Sequence, residues 1–402
     1  MARSNRYSGI RTTAIHAGEG PDPGTNASAP PITMSSTYVL DEVAGFSAKD
    51  LEEEAPWLYT RWANPTVSQL QDKISALEGA EASLCFGSGM AASAAIFLSL
   101  LSEGDHLIVS DVCYAGVAEL ARDTLPRFGI AVTPVDTSDL EMVANAIRPE
   151  TKQIHIETPA NPIMRLTDIH AVAELAKKAE ATLSVDSTFA TTMATRPLEH
   201  DADIVMHSLT KYMGGHGDAL GGSLSGSKVL MDRINTEAVI HHGGTLSPFN
   251  AWLISRGMAT LPLRMKQHAE TALEIARFLD GHSKVQRVLY PGLDSHPQAD
   301  LAARQMANFS GMLSFTVADG PKLAEIMVEH LGVIHYAVSL GHQRSLICYI
   351  GTEAINESSF RLDGKQLEAY RSFAGDGVFR LSVGLEDAAD LIADLEAVLD
   401  RL

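Results

Sequence analysis

The first group in this sequence that could do chemistry is a lysine set among hydroxyl side chains and glycines. His207-Ser208-Leu209-Thr210-Lys211 runs into Gly214-Gly215-His216-Gly217, so Lys211 follows a short apolar stretch and precedes a sharp turn. Burial there would lower its pKa and free the amine as a nucleophile and base. A lysine beside a surface loop gives the same pattern, so this stretch alone leaves both readings open. Asp186 closes the apolar run Leu183-Ser184-Val185, which would set its carboxylate at the rim of a sheet. Such a carboxylate can keep a heteroaromatic nitrogen protonated, or simply cap a turn. Gly87-Ser88-Gly89-Met90 lies between a strand pattern and an apolar helix, where free backbone N–H groups form a phosphate cradle.

Two cofactor chemistries fit these pieces. A lysine amine, a buried carboxylate and a phosphate cradle together suit pyridoxal phosphate, whose electron-sink chemistry needs a protonated pyridine. The rival is a nicotinamide enzyme. Gly87-x-Gly89-x-x-Ala92 with Asp111 about 20 residues on matches a dinucleotide fingerprint. That reading leaves Lys211, Ser208, Thr210 and Asp186 without a task.

The elements that must position these groups alternate from about residue 66 onward. Helical spacing predicts a helix over Thr66 to Leu77, stopped by Gly79, and an apolar helix over Met90 to Leu101. Short strands are predicted at Leu84 to Phe86, His106 to Ser110, Ala131 to Val135, Gln153 to Glu157, Thr182 to Asp186 and Asp203 to His207. A helix over Asp168 to Glu180 separates two of them. Apolar strands alternating with helices predict an α/β fold with a mostly parallel sheet covered on both faces. Sites in such sheets lie beyond the strand C-termini, where Gly87, Tyr114, Glu157, Asp186 and Ser208 fall. A long helical run from Asn250 through Arg264 to Phe278 leads into HPQADLAARQM, MLSFTV and a closing helix over Asp387 to Leu402. These predict a smaller α+β domain. The expected division is an N-terminal arm over 1–60, a cofactor domain over 61–255 and a C-terminal domain over 256–402.

The bulk properties agree with a globular enzyme. The chain has 402 residues, 45% hydrophobic and 20% charged, with a net charge of −19 that would repel nucleic-acid backbones and anionic membranes. No apolar run reaches about 18 residues and the first twenty lack an apolar targeting segment, so a cytoplasmic location is expected. Cys85, Cys113 and Cys348 form no C-x-x-C pair and are expected as reduced thiols. His207, His216, His241 and His242 show no metal-ligand spacing and are expected in core or loop roles, with no metal site. Asp41, Asp50 and Glu52 to Glu54 are expected on a solvated face.

Several motifs carry a family resemblance. They are Tyr59-Thr-Arg61-Trp-Ala-Asn64-Pro65-Thr66, Ser88-Gly89-Met90, Glu157-Thr-Pro-Ala-Asn161-Pro162, Val185-Asp186-Ser187-Thr188-Phe189, His207 to Tyr212 and Arg380-Leu-Ser-Val-Gly-Leu-Glu386-Asp387. In this order, from about Thr13 to the C-terminus, the chain resembles the Cys/Met-metabolism family of pyridoxal-phosphate enzymes. That family includes methionine γ-lyase, cystathionine γ-lyase and cystathionine γ-synthase. The resemblance implies an aspartate-aminotransferase-like fold and a homotetramer built from two catalytic dimers. It implies that Lys211 carries the cofactor and shuttles protons, that Asp186 meets the pyridinium, and that Gly89, Met90, Ser208 and Thr210 bind the phosphate. Tyr59 and Arg61 would reach the neighbouring subunit's phosphate. Tyr114 would stack on the ring and help protonate the leaving group, and Asn161 would sit near the phenolic oxygen. Arg380, with Ser339, would clamp the substrate carboxylate.

The chain departs from the family pattern toward the leaving-group end. Ser187 replaces the usual asparagine, Gly116 replaces a cysteine found in methionine γ-lyases, and Arg344 replaces a common glutamate. Tyr349 to Ala354 stands in place of His-Pro-Ala-Ser-Met-Thr, which puts Glu353 where relatives carry methionine. The expected activity is elimination of a γ-substituent from an L-amino acid, giving a 2-oxo acid and ammonia. The alternative is a γ-replacement synthase. Glu353 is a candidate to meet a cationic substrate end such as that of canavanine. Arg344 is a candidate either to pair with Glu353 or to meet an anionic substrate group. A solvent-facing Glu353 remains open.

Overall fold

The computed structural model describes residues 7–41, 43 and 57–402. Asp41 is exposed, whereas Asp50 and Glu52 to Glu54 lie outside the described residues. Seven strands build the larger sheet: β1 Ala82–Phe86, β2 His106–Ser110, β3 Ala131–Val135, β4 Thr151–Glu157, β5 Thr182–Asp186, β6 Ile204–Ser208 and β7 Gly222–Gly226. Their order is β1-β7-β6-β5-β4-β2-β3. All neighbouring pairs are parallel except those of β7, which runs antiparallel to both β1 and β6.

β7 is the strand that sequence patterning does not show. Gly222-Ser-Leu-Ser-Gly226 has no β-branched or aromatic residue and reads as a turn. It forms a strand because only small side chains fit between two packed neighbours. A Cβ on Gly222 would lie 2.2 Å from the Ser88 carbonyl oxygen, and Ser225 Oγ shares a hydrogen bond with Ser83 Oγ at 2.8 Å.

Helix ends explain how the loops are aimed. Asn64 caps Pro65–Glu78 by accepting from the Thr66 and Val67 N–H groups, and Gly79 ends that helix at φ 72°. Ser88 caps the apolar helix Gly89–Leu100 by accepting from Ala91 N–H. Asp168 caps Ile169–Lys178 through the Ala171 N–H. The long helical run expected from Asn250 is broken into Pro248–Met258 and Leu261–Asp280. Pro262 lacks the N–H that would continue the first helix, so a new one starts around it. The domain division expected at 255 falls inside the first of these helices.

A second sheet contains β8 Val285–Leu289, β9 Met312–Val317, β10 His335–Tyr336, β11 Leu346–Gly351 and β12 Gly377–Ser382, in the order β10-β11-β12-β9-β8. Arg264, 5% exposed, ties this part to the turn after β6. Its guanidinium donates to the carbonyls of Tyr212, Met213 and Gly257. Gly215, at φ 76°, makes room for it, since a Cβ there would sit 2.1 Å from Arg264 Nη1. The turn that follows Lys211 is therefore held by the Arg264 guanidinium.

Candidate active site

The carboxyl ends of the parallel strands deliver the chemistry to one sheet edge. Register sets Glu157 of β4 directly beside Asp186 of β5, with Met206 of β6 next in line. Beyond β6, the backbone turns through Lys211 N–H to Ser208 O at 3.2 Å and Gly215 N–H to Lys211 O at 2.8 Å. Lys211 Nζ then donates to Ser339 Oγ at 2.9 Å. Burial, with the Arg380 guanidinium nearby, holds the Lys211 pKa down at about 8. Half-buried and so poised, the amine exchanges protons at near-neutral pH, as catalysis by a lysine base requires.

Arg380 of β12 is 8% exposed. Its Nη1 donates to Asn161 Oδ1 at 2.9 Å and its Nη2 to the Ser339 carbonyl at 3.1 Å, while Nε has no partner. Ser339 adopts φ 89°, a left-handed conformation that costs a non-glycine residue energy. That strain is the conformation that turns both its hydroxyl toward Lys211 and its carbonyl toward Arg380.

Glu157 is a site residue whose role no local signal reveals. It is 5% exposed, and its two oxygens accept from Tyr114 N–H at 2.6 Å and Asn161 N–H at 2.8 Å. Burial first, then the Asp186 charge, push its carboxyl well above the usual carboxylate range, against the pull of those two N–H groups and Arg380. It sets the backbones of Tyr114 and Asn161 from beneath. Asp186 is itself 6% exposed and accepts from Thr188 N–H at 2.9 Å. Burial raises its carboxyl too, against hydrogen bonds from Thr188 and the opposing pull of His207. Among the described residues Asp186 is in no ion pair.

The expected phosphate cradle is present as a space kept free of side-chain bulk. A Cβ on Gly89 would lie 2.9 Å from Ser208 Cβ and Oγ. Thr210 Oγ1 accepts from Gly221 N–H at 3.2 Å. Tyr114 is 49% exposed at the mouth of the site. Gly116 matters to it, because a Cβ there would lie 2.9 Å from the Tyr114 ring and 3.0 Å from Met90 Sδ. The Ser187 hydroxyl is buried without a partner.

These features pass a test for pyridoxal phosphate. The amine is half-desolvated, a buried carboxylate lacks the cation that a pyridinium would provide, and the glycine-walled cradle admits a phosphate. A cavity of about 420 Å³ opens beside Lys211, lined by Thr210, Gly217, Asp218, Asn250, Ser339 and His342 among others. The described residues include no group of side chains that could hold a metal ion. All three cysteines are buried free thiols, and no helix among the described residues is long and apolar enough to cross a membrane.

Other expected residues fall elsewhere. Glu353 and Arg344 do not pair. They stand at opposite ends of β11, whose six residues at ~3.3 Å each put roughly 20 Å between them. Arg371 instead ion-pairs with Glu353, whose side chain is 68% exposed, and also with Asp376. Arg344 is exposed at the N-terminal end of the strand. Tyr59 is 42% exposed with Arg61 over its ring at 5.3 Å, and Arg61 donates to the Ile240 carbonyl. Neither residue bonds to the Gly89, Ser208 and Lys211 group within the described chain.

Fold and site together define a pyridoxal-phosphate-dependent enzyme of fold type I, aspartate-aminotransferase-like in architecture. Residues 11–400 match the family model described as Cys/Met metabolism PLP-dependent enzyme, and the chain belongs to that family. It is 42% identical to the canavanine gamma-lyase of Pseudomonas canavaninivorans, over 97% of this chain and 96% of that one. It is 41% identical to the cystathionine gamma-synthase of Mycobacterium bovis, over 98% and 97%. The crystal structure of metB from Corynebacterium glutamicum superposes with a TM-score of 0.89 at 37% identity, covering 99% of each chain.

Proposed function

We propose that this enzyme removes the γ-substituent of an L-amino acid to give a 2-oxo acid and ammonia, and that a guanidino-oxy group such as canavanine's is among those it expels. The observation that carries the reading is the Lys211 amine, held near pKa 8 beside a cavity with the acidic Asp218 in its wall. Similarity to a canavanine gamma-lyase supports it. The bound cofactor supplies an electron sink for the charge left at Cα. Arg380 presents its guanidinium fork to the substrate carboxylate. Lys211 Nζ takes the proton from Cα, would hand it on to the cofactor, and, a neutral amine again, takes one from Cβ, whose loss expels the γ-substituent. Tyr114, at the mouth, protonates the departing group, and Asp186 would hold the cofactor's pyridine nitrogen protonated.

Asp218 takes over the task first expected of Glu353, whose charge is already met by Arg371. The test is 2-oxo acid release from methionine, cystathionine, O-succinylhomoserine and canavanine, with and without added cysteine. Asp218→Asn should lower kcat/KM for canavanine by roughly 10- to 100-fold and leave methionine nearly unchanged, whereas Glu353→Gln should spare both. Arg380→Leu should raise KM for every substrate alike. A wild type that ignores canavanine removes the guanidino-oxy proposal. Accumulation of a thioether when cysteine is present favours the synthase alternative, which similarity to a cystathionine gamma-synthase keeps in view.

We also propose that Tyr59 and Arg61 serve the cofactor phosphate of a second subunit in a homo-oligomer, because among the described residues neither bonds to Ser208 or Thr210 and Arg61 donates to the Ile240 carbonyl. Inactive Lys211→Ala and Arg61→Ala chains, mixed, should regain activity in hybrids that hold one fully wild-type site. Confirmed hybrids that stay inactive would place both residues in their own chain's site.

A further inference from the structure

A second cavity, of about 430 Å³, shares no lining residue with the one beside Lys211. Its size falls within the roughly 300–1,000 Å³ span of small-molecule sites. Three segments far apart in sequence build it. Ile10 starts the helix Ile10–His16, Thr192 and Met193 belong to the short helix Thr191–Ala194, and Arg304 lies near the end of the helix Ala299–Gln305. The walls are tied to one another. Ala307 N–H donates to the Ala194 carbonyl at 2.7 Å, and Asn308 Nδ2 to the Met193 carbonyl at 2.9 Å. Gln305 fastens its own helix by accepting from Ile169 N–H at 2.9 Å and donating to the Thr167 carbonyl at 3.1 Å. A ligand entering a hollow with fixed walls has little of the protein left to order.

The lining selects one kind of ligand. Thr192 is 5% exposed and its hydroxyl has no hydrogen-bond partner, a costly state that an acceptor oxygen on a ligand would relieve. Arg196 and Arg304 add two guanidinium groups. Nη2 of each meets one carboxylate, Glu199 at 2.6 Å and Asp168 at 3.2 Å, in partly exposed pairs of little strength. The other N–H donors of each fork suit a planar anion. On a chain of net charge −19 an anion would be held here by these directed donors and not by the overall field. Met193, Ala194 and Met306 supply an apolar side for a short hydrocarbon chain. We propose that this cavity is a second, non-catalytic binding site for a small monocarboxylate with an adjacent carbonyl oxygen and a short apolar chain, the chemistry of a short 2-oxo acid. That the enzyme's own product has this chemistry rests on the elimination reading, whereas the cavity itself does not.

The test is NMR of the full-length holoenzyme labelled at its methionine methyl groups and titrated with 2-oxobutyrate. Met193 and Met306 report the cavity, and Met90, beside Gly116, reports the catalytic site. Single Met→Leu variants assign the three signals. Met193 and Met306 should shift together along one saturation curve. Arg196→Leu combined with Arg304→Leu should weaken that midpoint at least about tenfold and leave any Met90 response within about twofold. Thr192→Val, which keeps the side-chain shape, should weaken 2-oxobutyrate about three- to tenfold and leave butyrate, which lacks the carbonyl oxygen, unchanged. Butyramide should bind at least about tenfold more weakly than butyrate because it carries no charge. Still Met193 and Met306 signals, or shifts that survive loss of both arginines, would overturn the site. Butyramide or inorganic phosphate binding as tightly as 2-oxobutyrate would overturn its assignment to such an acid. The 2-oxobutyrate is supplied from outside, so a chain that releases no 2-oxo acid from any amino acid can still bind it, and failure of the elimination reading shows separately.

Discussion

Asp186→Asn should lower kcat by about a thousandfold while the protein keeps its fold, which corresponds to ~4 kcal/mol of lost transition-state stabilisation. The carboxylate is 6% exposed, with Thr188 N–H bonded to it and no cation paired with it among the described residues. Burial raises its pKa, so an isolated charge there is costly. A protonated pyridine nitrogen alongside would stabilise that charge, and the charge would keep the nitrogen protonated. Asparagine preserves the volume and an oxygen for the Thr188 N–H but cannot hold the cation. Fold and cofactor binding should therefore survive while the electron sink weakens. Steady-state kinetics together with cofactor dissociation constants separate the two effects. An Asp186→Asn enzyme within tenfold of wild type would show that Asp186 has a different task.

Glu78→Ala should lower unfolding free energy by about 2–4 kcal/mol, because it removes one member of a fully buried hydrogen-bonded pair and leaves a cavity. Glu78 closes the helix Pro65–Glu78, and its Oε1 meets His207 Nε2 at 2.6 Å with both side chains 0% exposed. No other partner satisfies Glu78 Oε2 or His207 Nδ1. Alanine would strand the imidazole and leave a cavity, whereas Glu78→Gln keeps an acceptor of the same shape and should cost less. Denaturant unfolding with saturating cofactor measures both variants. The His207 side chain also acts on Asp186, so Glu78→Ala should weaken cofactor retention as well. A loss below about 1 kcal/mol in the alanine variant would show that His207 finds another partner.

How far these groups could be read in advance depended on how local their signals were. Lys211, Asp186 and the Gly89 cradle each sit at an element end that patterning marks, and they meet at one edge of the sheet as parallel topology requires. Glu78 carried no such mark, and Glu157, marked by its place at the end of β4, gave no sign of its role. A glutamate at a strand or helix end is ordinarily solvated, and only strand register and helix docking bury these two. β7 escaped because its glycines and serines report the closeness of their neighbours, not strand propensity. The pairing of Arg344 with Glu353 failed for a simpler reason. Nine positions apart in sequence, they are held at opposite ends of an extended strand.

The amino-acid sequence by itself pointed to the cofactor class through a lysine, an aspartate and a glycine cradle taken together with the ordered family motifs around them. The lysine and the aspartate both occupy positions set by short-range pattern. The tertiary structure alone decided what lines the cavity beside Lys211. That wall is assembled from Asp218 and His342, on two loops more than a hundred residues apart, and from Ser339, whose backbone is held at φ 89°. No local pattern reports a contact between segments so distant, because tertiary packing, which Arg264 helps fix by bonding the turn after β6, creates it.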